Sequence, residues 1–209
     1  QVALYEQGAY NDVPVLIGYN SDEGLSFPAG RTAEEYVSNV RHRFGDHADA
    51  LLEAYPLTDG EVKRAARNLM RDAAFGWHTW KWAQLQSQTG TGEVFYYYFD
   101  QHPEYPADSP QADHGTPHGV DVPFVFMHIN PDNPHTQPGD QVLSEIMGTY
   151  WTNFAKYGHP NGEGLPEWPA FSAGNPAVMY LGPDARLGEV PDEAALRVLD
   201  AYYESRLNP

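Results

Sequence analysis

Val94-Phe95-Tyr96-Tyr97-Tyr98-Phe99 is an apolar and aromatic run with no alternating polar residues. A strand of that kind has both faces covered, which is the pattern of a mainly parallel sheet flanked by helices. Upstream, Val13-Pro14-Val15-Leu16-Ile17-Gly18 reads as a short buried strand ending at Gly18, followed by the polar turn Tyr19-Asn20-Ser21-Asp22-Glu23-Gly24. Downstream, Ala177 to Leu181 reads as a last short strand.

Helical patterns separate these strands. Thr32-Ala33-Glu34-Glu35 is a capping box, in which the hydroxyl and the carboxylate each satisfy a free amide at a helix start. Tyr36, Val37, Val40 and Phe44 continue it on one face. Val62, Ala65, Ala66, Leu69, Met70 and Ala73 predict an amphipathic helix over 60–74. A second helix is expected over 75–88, with Trp77, Trp80, Trp82 and Leu85, broken by Gly90-Thr91-Gly92. Residues 101–140 are loop-rich and repeatedly interrupted by Pro; a loop that long is often functional. Val142, Leu143, Ile146, Met147, Tyr150, Trp151 and Phe154 form the cleanest helix, with Gly158 just past its end. A closing helix runs from Asp192 to Arg206.

Strands alternating with helices predict an α/β fold. About three strands are visible, fewer than the five or six of a typical sheet, so the chain reads as part of a sheet.

Composition narrows the functions. The 209 residues are 41% hydrophobic and 20% charged, a globular balance. With 12 Lys and Arg against 29 Asp and Glu, the net charge is −17, a field that repels phosphate backbones, so no nucleic-acid partner is expected. No apolar run is long enough to predict a membrane span. Cys is absent, so disulfides, thiolate metal sites and a Cys nucleophile are excluded. The chain begins at Gln1 rather than Met, with no basic-then-apolar leader, so a polypeptide cut or processed upstream is expected.

Two loops hold candidate chemical groups. Glu23 lies in the polar turn after the first strand, and in open α/β sheets reactive groups gather beyond the carboxyl ends of strands. His118 lies in His114-Gly115-Thr116-Pro117-His118-Gly119-Val120-Asp121, within the long loop after the second strand. A carboxylate and an imidazole so placed suit the orienting and base members of a triad. Taken singly, each is more readily a solvated or packing residue. His102, His114, His118, His128 and His135 also cluster, but spacings of 12, 4, 10 and 7 match no strong metal-ligand pattern.

Three blocks, in order, are more specific together. Val13 to Gly24, with Glu23 near its end, is the first. His118-Gly119-Val120-Asp121-Val122-Pro123-Phe124-Val125-Phe126 is the second, and Tyr150 to Asn161 followed by Trp168-Pro169-Ala170-Phe171 is the third. Together they resemble the C-terminal half of the type B carboxylesterases, the family of para-nitrobenzyl esterases and cholinesterases. The likeness spans nearly the whole chain, with Asp121 standing where Glu is common. The resemblance implies that residues 1–209 are the C-terminal portion of a single α/β-hydrolase domain. It implies Glu23 as the acidic triad member, His118 as the base and Phe27 as an acyl-pocket residue. It implies a carboxylic ester as substrate and no metal or organic cofactor. His114 is the nearest rival base but lacks the matching downstream block. The order acid then His fits the Ser, acid, His order of α/β hydrolases.

A triad needs a nucleophile, which this fold presents as Gly-x-Ser-x-Gly. Ser21, Ser26, Ser38, Ser87, Ser109, Ser144, Ser172 and Ser205 all fail that pattern, and Gly24-Leu25-Ser26-Phe27-Pro28 comes closest. No glycine-rich oxyanion-hole segment is visible either. The N-terminal half of the same enzyme is therefore the expected partner, and the chain alone is expected to be inactive. Two other readings stay open here: a non-catalytic interaction domain of esterase fold, and a sugar- or metal-binding module built on the Trp and His residues.

Overall fold

A computed structural model describes residues 2–28, 30–57 and 61–207. Val94–Phe99 forms β2 of a four-stranded sheet ordered β1-β2-β3-β4. β1 spans Val15–Asn20, β3 Val178–Leu181 and β4 Arg186–Gly188. β1 and β3 run parallel to β2, and β4 returns antiparallel to β3. The sheet is mixed but mainly parallel, in the α/β class that the sequence predicts.

The uniform apolarity of β2 comes from its two covered faces. Successive strand side chains alternate between faces. Phe95 and Phe99 enter one core with Phe124, Leu143, Met147, Tyr150 and Trp168. Val94, Tyr96 and Tyr98 enter a second core with Leu51, Trp80, Leu196 and Leu199.

Helices divide accordingly. α1 (Val2–Glu6) packs on α5. α2 (Ala33–Phe44), α3 (Ala48–Ala54), α4 (Val62–Arg71), α5 (Trp77–Thr89) and α8 (Glu193–Leu207) build the second core. The short α6 (Val122–Val125) and the long α7 (Asp140–Tyr157) build the first.

Local signals act where the sequence places them, with small differences. Thr32 Oγ1 accepts the Glu35 amide at 3.2 Å, but the Glu35 carboxylate reaches the Arg31 amide, at 2.7 Å, so the box closes one residue early. α7 ends at Gly158, whose φ of +78° is the left-handed conformation that glycine adopts without strain.

Other expectations need correction. β1 begins and ends two residues later than predicted. It lies at the sheet edge, with β2 as its one strand neighbour among the described residues, and is only half-buried over Val15–Gly18. α4 and α5 are not separate helices but are joined by the π-helical turn Asp72–Gly76. Trp77 and Trp80 are buried, whereas Trp82 is 41% exposed. α1, α3 and β4 have no counterpart in the sequence reading.

Candidate active site

The parallel strands β1 and β2 end on the same side of the sheet, and the candidate groups lie beyond those ends. Ser21 continues the ladder through its amide to Phe99 O at 2.9 Å. The chain then tightens into the 3₁₀ turn Glu23–Ser26, closed by the Phe27 amide on Gly24 O at 3.0 Å. A Cβ on Gly24 would overlap the main-chain carbonyl of Arg67, so glycine is needed for this turn to sit against α4.

The turn buries Glu23 to 4% exposure and aims its carboxylate at the loop before α6. Glu23 Oε2 lies 2.7 Å from His118 Nδ1. Glu23 Oε1 accepts the Asn20 amide at 3.1 Å. Both carboxylate oxygens are thus occupied, which fixes the orientation of the group. The His118 side chain is 64% exposed, and with Nδ1 turned to Glu23 its Nε2 makes no contact with the carboxylate.

Asn20 is the residue that sequence reasoning misses. Its backbone amide binds Glu23, while its side-chain nitrogen donates to Pro117 O at 2.9 Å and to Asp121 Oδ1 at 3.1 Å. One asparagine therefore grips the acid and both flanks of His118. A second missed residue is Phe75, from the π-turn. Its ring centroid lies 5.4 Å from that of His118 and 6.5 Å from that of Phe27. Phe27 is half-buried and meets His118 through this intervening ring, so the three rings form one wall.

His114, the rival base, lies 4.0 Å from Asp113 rather than on Glu23. His102, His128 and His135 line a separate cavity under α6. Among the described residues no group of three His, Asp or Glu side chains is arranged to hold a metal ion, and no helix is long and apolar enough to cross a membrane.

Burial dominates the electrostatics of the acid. It pushes the Glu23 carboxyl above the usual carboxylate range, and the Asn20 amide and His118 oppose that without cancelling it. Asp22 is raised for the same reason, with Arg67 and the Gly115 amide opposing. A buried carboxylate against an imidazole holds the tautomer with the proton on Nδ1 and stabilises the imidazolium when it forms.

A mainly parallel sheet with helices on both faces has the architecture of the α/β-hydrolase fold. The description "Carboxylesterase family" matches residues 1–199, and the chain belongs to that family. It is 26% identical to fumonisin B1 esterase of Sphingopyxis macrogoltabida, covering 92% of this chain and 37% of that protein. It is 33% identical to cocaine esterase of Homo sapiens, covering 80% of this chain and 33% of that one. A solved PNB esterase superposes with a TM-score of 0.71 at 25% identity, over 95% of this chain and 40% of its own. The chain thus spans 33 to 40% of the length of these relatives.

Proposed function

We propose that this chain is the C-terminal part of a single α/β-hydrolase domain and supplies the acid and base of a Ser-His-Glu triad. The nucleophilic Ser and the oxyanion hole lie on an upstream segment of the complete protein. The observation that carries this reading is the 2.7 Å contact between Glu23 Oε2 and His118 Nδ1. It joins groups 95 positions apart beyond the ends of parallel strands. The half-buried edge of β1 is where the rest of the sheet docks, so the partner of this chain is the N-terminal half.

In the complete site His118 Nε2 takes the proton of the Ser hydroxyl as its oxygen attacks the ester carbonyl. Glu23 holds the ring and stabilises its charge. His118 then gives that proton to the departing alkoxide, leaving an acyl-enzyme. Water, deprotonated by the same nitrogen, releases the carboxylic acid and restores the Ser. Phe27 lines the acyl side of the pocket.

The test is hydrolysis of short-chain p-nitrophenyl esters by the full-length protein. Wild type turns over, His118→Ala loses at least about a thousandfold, and the 209-residue chain alone is inert. Full activity in His118→Ala, or hydrolysis by the isolated chain that depends on His118, overturns the reading.

A further inference from the structure

Arg67 is an arginine in the middle of α4 with only 7% exposure. A guanidinium is buried at that level only when it is paired. Its partners come from the two segments that carry the acid and the base. Nη2 donates to Asp113 O and to Asp113 Oδ2, both at 2.9 Å. Nε lies 3.4 Å from Asp22 Oδ1, an ion pair without hydrogen-bond alignment.

Asp22 immediately precedes Glu23, and Asp113 lies five residues before His118 in the same loop. These segments are also laced to each other. Asp22 Oδ2 accepts the Gly115 amide at 3.1 Å, the Asp22 amide donates to Thr116 O at 2.9 Å, and Ser21 Oγ accepts the Thr116 amide at 2.9 Å. The lacing fixes the segments relative to one another. Arg67 then fixes both to a rigid helix, against whose backbone Gly24 is already seated.

Resting on the proposed roles of Glu23 and His118, we infer that Arg67 is a positioning residue: through Asp22 and Asp113 it holds the acid turn and the base loop in one register on α4. It does not touch Nε2 or any reacting atom, so its action is through Glu23 and His118. A forked guanidinium suits this task because it meets a carbonyl and two carboxylates from different directions at once. A lysine ammonium keeps the charge without that geometry.

The experiment compares Arg67→Lys and Asp113→Asn in the full-length protein, with Glu23→Gln and His118→Ala as controls. Asp113 is partly exposed, so its variant takes the charge from one anchor while Arg67 keeps its pairing with Asp22. For both test variants kcat on a short-chain p-nitrophenyl ester falls on the order of tenfold while KM moves less than about twofold. The downfield proton resonance of the His118 Nδ1–H bound to Glu23 broadens or disappears in the same samples. A purely structural role lowers the thermal midpoint and leaves kcat and that resonance intact in the folded fraction, which overturns the inference. If Arg67→Lys does not fold, Asp113→Asn decides alone. Loss of activity in both controls with an unchanged Asp113→Asn defeats the positioning role only. Unchanged activity in both controls defeats the triad reading itself.

Discussion

Phe75 lies against His118, ring centroids 5.4 Å apart, because α4 passes into α5 through a π-turn. A π-turn inserts extra backbone into the helical repeat and rotates the residues beyond it about the helix axis. The turn leaves Asp72 and Ala73 buried and presents Phe75 half-exposed against the His118 ring. The helix pair thereby contributes to both the core and the site, and the wall Phe27–Phe75–His118 is its product.

Phe75→Ala removes the middle of that wall. The ring is half-buried, so the expected loss of stability is about 1–2 kcal/mol, below the about 3–5 kcal/mol of a fully buried Phe. In the full-length protein, kcat/KM across p-nitrophenyl esters of increasing acyl length is expected to change slope, with the bulkiest acyl groups gaining most. An unaltered profile separates Phe75 from the pocket.

The raised Glu23 carboxyl makes a signed prediction about pH. A carboxyl whose native pKa is raised binds its proton more tightly folded than unfolded. The stability it contributes is complete below its unfolded value, about 4.3, and is lost as pH rises through the native value. Glu23→Gln has no such loss. Urea denaturation at a series of pH values is expected to show the variant gaining on the wild type as pH rises from about 4 toward 7. The same variant is expected to lose activity heavily in the full-length protein, because the Gln amide donates to Nδ1 and imposes the wrong tautomer. A stability difference independent of pH refutes the idea that burying this charge is costly.

Asn20 is 2% exposed, and its side chain satisfies Pro117 O and Asp121 Oδ1. Asn20→Ala leaves the Pro117 carbonyl without its donor, an expected cost of about 1–3 kcal/mol. The urea midpoint is expected to fall with an unchanged m-value. Amide exchange over 117–121 is expected to quicken more than exchange in β2, since the loop loses its tie to β1. Asn20→Asp is expected to be worse, because it cannot donate and sets a carboxylate beside Glu23 and Asp121.

Much of this was readable from local pattern. Strand β2 announced two covered faces because each of its residues is large and apolar, and α7 announced its end through Gly158. Glu23 and His118 emerged from motif order, since neither residue type is informative alone. What escaped has a physical reason. Arg186–Gly188 is short and exposed, and it becomes a strand only by pairing with β3. The stretch Ala73-Ala74-Phe75-Gly76 is compatible with ordinary helix, so nothing local marks the wider turn. Arg67 and Arg71 lie off the apolar stripe of α4, so the helical period gives them no place in the core. They are buried because their carboxylate partners arrive mostly from distant segments, which no periodicity records.

Arg71 makes the last prediction. Its guanidinium meets Asp72 through two bonds, Nε to Oδ1 at 2.7 Å and Nη2 to Oδ2 at 2.8 Å, and it also pairs with Asp192. Its Nη1 reaches Ser21 O at 3.3 Å, beside the acid turn. Asp72 is 0% exposed and also accepts the Tyr55 hydroxyl at 2.9 Å. Arg71→Met therefore strands a carboxylate that has no route to water, an expected loss of about 3–5 kcal/mol. Removing both charges in Arg71→Met/Asp72→Leu leaves only smaller penalties, chiefly the Tyr55 hydroxyl without its acceptor, at about 1–3 kcal/mol. The double variant is thus expected to be more stable than Arg71→Met alone, measured by urea denaturation. If it is the less stable of the two, the ion pair is a net source of stability and not a matched set of buried charges.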